Sequence, residues 1–141
     1  MENQASFITV ETLVNAPMDL VWSCWTDPAH IKQWNSPSAD WHTPYAVNDV
    51  RTGGKFLFVM EAKDGSGGFD FEGSYDEVSF HERISYTTTD GRKATNLFTA
   101  TPAGTRITET FEPNQHDPAA MQRDFVAGVL TTFKNYVESL V

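Results

Sequence analysis

DPAAMQRDFVAGVLTTFKNYVESLV, residues 117–141, is the stretch that decides the fold. Asp117 is a good N-cap, because its carboxylate can accept from the unpaired N–H groups of a first helical turn. Pro118 suits the first helical position, where no N–H is needed. From there Met121, Phe125, Gly128, Val129, Thr132, Phe133, Tyr136 and Leu140 recur at spacings of three and four, which predicts one long amphipathic helix. Val126, Leu130 and Val137 widen the apolar face, while Gln122, Arg123, Lys134, Asn135 and Glu138 sit mostly off it. A helix with so wide an apolar face must lie on something, and the large partner that the preceding sequence offers is a sheet.

The strands of that sheet are written as short alternating runs. Phe7 to Val14 is rich in β-branched residues and reads as a first strand. Asn15-Ala16-Pro17 stops it and opens a short helix with Pro17 at its first position and Met18, Val21, Trp22 and Trp25 as its apolar stripe. Thr26-Asp27-Pro28 ends that helix and caps another, Ala29 to Trp34. A meander follows: Trp41 to Val50 (interrupted by Pro44), Lys55 to Ala62, Phe69 to Val78, Ile84 to Thr89, Ala94 to Thr101 and Thr105 to Glu112. Asp64-Gly65 and Asp90-Gly91 are turn signals between them. In the Phe69 run, Phe69, Phe71, Gly73 and Tyr75 face one way and Asp70, Glu72, Ser74 and Asp76 the other. The order is strand, two short helices, about six antiparallel strands, long helix: an α+β fold in a single domain covering residues 1–141.

The bulk properties exclude several functions. A net charge of −9, from 10 basic against 19 acidic residues, opposes nucleic acid, whose phosphates call for clustered Lys and Arg. It equally opposes an anionic membrane surface, and no apolar run reaches the roughly 20 residues that span a bilayer, so no membrane insertion is expected. Met1-Glu2-Asn3-Gln4 lacks the basic and apolar regions of a secretory leader, and Cys24 is the only cysteine. The expectation is a cytoplasmic protein without disulfides.

Ala16-Pro17 with Val21-Trp22, Thr26-Asp27-Pro28 and Trp34, Asp49-Val50-Arg51 with Gly53-Gly54, Gly73-Ser74-Tyr75-Asp76-Glu77-Val78, and Gly104-Thr105, Phe111 and Gly128 occur in an order that resembles a known family. The chain is similar to the START-like, polyketide-cyclase-like helix-grip superfamily, in the branch named for the C-terminal domain of the chaperone ATPase activator. The resemblance runs from about Phe7 to Leu140. It implies a curved antiparallel sheet gripping the long C-terminal helix, two short helices closing one end, and an apolar cavity for a lipid-, polyketide- or aromatic-type ligand. It also raises a chaperone partner, for which the residues themselves offer no support. Two departures bear on the cavity: the branch often carries Gly-Trp where this chain has Gly128-Val129, and Trp-Trp where it has Trp34-Asn35.

The aromatic faces are the candidates for ligand contact. Phe56, Phe58 and Met60 alternate on one strand and Phe71 and Tyr75 on another, with Tyr86, Phe98 and Trp34 joining them. Met121, Phe125, Val129 and Phe133 of the helix lie opposite. The competing reading is a solid core of the same residues. Tyr75 or Tyr86 could supply an orienting hydroxyl, since pockets are mostly apolar with a few polar groups. Gly128 costs about 1 kcal/mol relative to alanine in a helix, which implies either a close approach of the sheet or room at a cavity mouth.

Glu11, Glu61, Glu72 and Glu109 fall inside strands, and outer, solvated positions are expected for them. An inward one beside Tyr75 or Tyr86 would instead suit proton transfer. Arg51, Arg83 and Arg106 are expected to pair with acids at the surface. His30, His42, His81 and His116 are scattered without metal-ligand spacing. Thr52-Gly53-Gly54-Lys55 lacks phosphate-loop spacing, and Cys24 reads as a packing residue. No catalytic residue, metal site or cofactor is expected. The sequence thus points to a protein that binds a small hydrophobic molecule between sheet and helix. The alternatives are a small cyclase, dehydratase or hydrolase using the same cavity, and a chaperone-associated interaction module.

Overall fold

A computed structural model describes residues 7–141; the leader-free reading of Met1-Glu2-Asn3-Gln4 lies outside them. Strand β1 (Ile8–Val14) leads into helices α1 (Met18–Thr26) and α2 (Pro28–Trp34). Strands β2 (Trp41–Asn48), β3 (Lys55–Ala62), β4 (Gly68–Ser79), β5 (Arg83–Thr88), β6 (Lys93–Thr101) and β7 (Gly104–Phe111) precede α3 (Ala119–Glu138). The seven strands form one antiparallel sheet in the order β1-β7-β6-β5-β4-β3-β2. This is the expected α+β helix-grip arrangement, with a meander closed by β1 on the far side of β7.

Local chemistry explains the short elements. Asp27 caps α2, accepting from the Ala29 N–H at 2.9 Å, and Pro28 follows at the first helical position. Pro17 and Pro118 occupy cap positions of α1 and α3, one residue earlier than expected, and neither helix has a side-chain cap. Asp117 does not cap α3: its carboxylate accepts from Asn114 Nδ2 at 3.2 Å. Gln122 takes over the entry to the helix. Its Oε1 accepts from the Asn114 N–H at 2.9 Å, and its Nε2 donates to the Asp117 carbonyl at 2.9 Å. Gln122 is consequently buried rather than off the apolar face. In β2, Pro44 lies where the register slips between His42 and Tyr45, and the strand ends at Asn48 instead of Val50.

Helix α3 is fastened to the free edge of β1. Lys134 Nζ donates to the Leu13 carbonyl at 2.8 Å, Arg123 Nη1 to the Thr9 carbonyl at 3.1 Å, and Glu138 Oε2 accepts from the Asn15 N–H at 2.8 Å. Edge carbonyls that would otherwise invite another strand are thereby occupied. At the end of the sheet closed by α1 and α2, the core is aromatic. Trp25 stacks on Trp34 at 5.0 Å, Phe133 meets Trp34 edge-on at 4.7 Å, and Trp22 meets Phe98 at 5.1 Å. Trp34 Nε1 donates to the Cys24 carbonyl at 2.8 Å, which satisfies the one polar atom of a buried indole. Cys24 is fully buried, and burial pushes its thiol up, in keeping with a packing role.

Gly128 faces neither the sheet nor a cavity mouth. A Cβ placed there would lie 2.5 Å from the Pro37 carbonyl oxygen, so the close approach comes from the loop between α2 and β2. Gly128→Ala gains about 1 kcal/mol of helix propensity and loses about 1–3 kcal/mol to overpacking against backbone. The expected outcome is a net destabilisation on the order of 1 kcal/mol, read by thermal unfolding as a melting temperature lowered by a few degrees. An unchanged or raised melting temperature would mean that the loop yields freely.

Candidate functional site: a cavity between sheet and helix

Because α3 lies against β1 and α2, it stands off from the middle of the sheet. The space left over is a cavity of about 460 Å³, within the range that small-molecule pockets occupy. Its sheet wall is built on Phe56, which contacts Phe58 and Phe71 at 5.3 Å and Tyr75 and Tyr86 at 5.2 Å. Gly73, directly across from Phe56, makes room for that ring: a Cβ there would lie 3.0 Å from its Cζ. The open end is flanked by Trp41, Phe69 and Phe125, about 6 Å apart, with Phe69 and Met121 exposed.

Of the residues singled out in the sequence, Trp34, Phe56, Phe58, Met60, Phe71 and Tyr75 line this space, as do Tyr86, Met121, Phe125 and Val129. Phe98 and Phe133 do not; both are buried in the aromatic core behind α1. Trp25, Asn96, Glu109, Gln122 and Val126 line the cavity unforeseen. The sequence predicts Trp25 as helix stripe, Gln122 off the apolar face and Glu109 in a solvated position, and nothing in it singles out Asn96.

Glu109 is the main correction. Strand β7 turns Thr105, Ile107, Glu109 and Phe111 inward and Arg106 outward. The carboxylate thus sits between two apolar neighbours on the inner face instead of in solvent. It is half-buried, and it lines the cavity. Asn96, its direct partner on β6 and almost fully buried, donates Nδ2 to Oε1 at 3.0 Å. Burial outweighs that hydrogen bond and pushes the carboxyl up to about 7. The other strand acids face outward as expected: Glu11 pairs with Arg106 at 3.3 Å, and Glu61 lies 3.6 Å from His42. Arg51 and Arg83 pair with Asp49 and Glu77 at the surface.

The two tyrosines differ in what they have left to offer. Tyr75 donates its hydroxyl to Asn48 Oδ1, and Asn48 Nδ2 donates in turn to the Thr26 carbonyl at 2.9 Å. That hydroxyl ties the sheet to the end of α1. Tyr86 is only 8% exposed. Burial, with the Glu109 charge second, raises its phenol well above the ordinary range. Its hydroxyl makes no hydrogen bond within the described residues and is open to the cavity, since no buried side-chain polar atom among them lacks a partner. Among these residues no cluster of His, Cys, Asp and Glu could hold a metal ion, and no helix is long and apolar enough to cross a membrane.

The raised carboxyl makes stability depend on pH. A folded-state value above the unfolded one means that Glu109 favours the folded state most below about 4.5 and loses this contribution as pH rises to about 7. Glu109→Gln removes the titration. The melting temperature of the variant relative to the native protein should therefore climb between pH 4.5 and 7 and level off above. A constant difference across that window would mean that Glu109 is solvated.

Comparison with known proteins agrees with this architecture. The family model described as "Activator of Hsp90 ATPase homolog 1-like protein" matches residues 15–138. The AHSA1-like protein of Aeromonas hydrophila is 38% identical, with a TM-score of 0.89 over 96% of this chain and 94% of that one. A Cytophaga hutchinsonii protein is 44% identical, with a TM-score of 0.80 over 94% of this chain and 92% of its own. A Nitrosomonas europaea protein at 21% identity shares the fold, with a TM-score of 0.83 over 99% and 98% of the two chains. No curated protein matches significantly. A match from the loop before α1 to the end of α3, with relatives this similar along nearly their whole length, makes the assignment plain: the chain belongs to the activator of Hsp90 ATPase homolog 1-like family.

Proposed function

We propose that the protein binds a small hydrophobic molecule, of lipid, polyketide or aromatic type, between the sheet and α3. The observation that carries this reading is an aromatic-walled cavity of about 460 Å³ between the sheet and α3. Protein interiors normally fill such space, because a void forfeits dispersion contacts on every wall. A ligand restores those contacts and gains roughly 25 cal/mol for each Å² of apolar surface it removes from water, before ordering costs. Entry would run past Phe69 and Met121, beside the glycine-rich turn between β3 and β4. A chaperone partner would rest on the family name alone.

A second reading is catalytic: a cyclase, dehydratase or hydrolase acting on such a molecule. The inward Glu109 favours it, because a carboxyl with a value near neutrality can give and take protons. It predicts that Glu109→Gln abolishes turnover of a bound substrate while leaving its binding in place.

Native mass spectrometry of freshly purified protein tests the binding reading, with Val129→Trp as a variant that fills the cavity from the helix side. The expected result is a small apolar molecule carried by the native protein, or taken up saturably from a panel of neutral aromatics and fatty alcohols, and lost in a Val129→Trp protein that still melts cooperatively. Equal uptake by both proteins, or uptake by neither, would contradict it.

A further inference from the structure

The cavity wall carries one polar device that its apolar lining does not explain. On neighbouring strands, Asn96 and Glu109 pair directly, and Tyr86 lies one inward position along on β5, opposite Ala94. The small side chain of Ala94, between Tyr86 on one side and Phe111 on the other, leaves the floor open at that point. Asn96 donates to Oε1 of Glu109, and Oε2 has no hydrogen-bond partner among the described residues. When the acid is neutral, the oxygen that accepts from Asn96 is the carbonyl oxygen, so the proton resides on Oε2 as a donor. The Tyr86 hydroxyl, in a side chain more than nine-tenths buried, is a second donor without an acceptor. No buried side-chain polar atom among the described residues lacks a partner, so both of these atoms face open space, where a bound molecule can meet them.

We infer that the bound molecule is an apolar body with a carbonyl-type oxygen, held by the carboxyl of Glu109 and the hydroxyl of Tyr86. This rests on the binding reading above and names the chemistry of its ligand. A carbonyl oxygen, with two lone pairs and no proton, can accept from either donor. An ammonium ligand fits less well: it requires Glu109 to ionise among apolar groups, and it shares the cavity with Arg92 and Lys93. The groups around Glu109 are accounted for on every side. Strand β1 presents Val10, β6 presents Asn96 and, further along, Lys93, and β5 and β4 present Tyr86 and Tyr75. Arg92 comes from the turn before β6, Glu112 and Asp117 from the segment before α3, and α3 itself presents Gln122 and Val126, which do not titrate. None of the basic side chains pairs with Glu109 among the described residues. Its carboxyl, pushed up to about 7 by burial, is the group whose charge changes near neutrality. Recognition of a carbonyl is therefore linked to a proton and weakens as pH rises.

Fluorescence titration of the full chain with three naphthalenes tests this: the neutral ketone 6-propionyl-2-(dimethylamino)naphthalene, its carbonyl-free analogue 2-(dimethylamino)naphthalene, and the cation 2-(aminomethyl)naphthalene. At pH 6 the ketone should bind several-fold more tightly than the analogue. That advantage, read as a ratio of dissociation constants, should fall towards unity between pH 6 and pH 8, as the neutral fraction of the carboxyl drops about tenfold. Tyr86→Phe should reduce the advantage at pH 6. Glu109→Gln should make it independent of pH, an effect that loss of packing alone does not produce. Should Glu109→Gln fail to fold, the native pH profile and Tyr86→Phe still decide. Equal binding of ketone and analogue at all pH values, or an amine that gains affinity as pH rises, overturns this inference and leaves the binding reading standing. Failure of all three probes to bind overturns both.

Discussion

The polar ties of helix α3 run to one edge of the sheet and to α2. Lys134 and Arg123 reach carbonyls of β1, Glu138 takes the Asn15 N–H, and His30 Nδ1 meets the Tyr136 hydroxyl at 2.6 Å from α2. These polar ties set the distance of the helix axis from the sheet, and side chains then fill what they can. Near α1 and α2, Trp22, Trp25, Trp34, Phe98 and Phe133 interlock. Towards the start of α3 the filling is incomplete, and the remaining volume is the cavity. Its existence follows from where the helix is anchored, not from any lack of apolar residues.

The same division accounts for the two kinds of aromatic in the chain. Those near α1 face one another across short edge-to-face and stacked contacts, with Trp25 and Trp34 also forming the end wall of the cavity. Those on β3, β4 and β5 gather around Phe56 and present a continuous wall with α3 facing it. Where the wall turns polar, at Asn96, Glu109 and Tyr86, the polar groups are incompletely matched. An acid kept neutral by its apolar surroundings is a familiar way to place a hydrogen-bond donor inside a hydrophobic site.

Much of this was legible in the sequence, and the exceptions have physical causes. The long helix and the β3 to β7 meander are written in their periodicities, so the architecture could be read directly. Glu109 was legible in part: it shares strand parity with Ile107 and Phe111, whereas Glu72 shares parity with Asp70, Ser74 and Asp76. The polarity of Glu109 argues for solvent and its parity for the core, and parity decides because Asn96 supplies a partner on the inner face. Gln122 lies four residues before Val126 and so on the apolar stripe, but its burial depends on backbone groups at Asn114 and Asp117 that only the folded loop brings near. The neighbour of Gly128 could not be foreseen, since nothing in the local pattern says that Pro37 crosses there. Phe98 and Phe133 have the same chemistry as the cavity aromatics; their packing against Trp22, Trp25 and Trp34 is what separates the two groups.

The central claim is a standing apolar cavity on the inner face, and its most direct test is a two-dimensional NMR titration of the protein with a neutral naphthalene. The account predicts saturable shifts at the methyls of Met60, Met121 and Val129 and at the Trp25 and Trp34 indoles, with little change at the exposed Phe80 and the outward Leu97. Shifts confined to the outer face, or no saturable shift at any of the inner reporters, would contradict it.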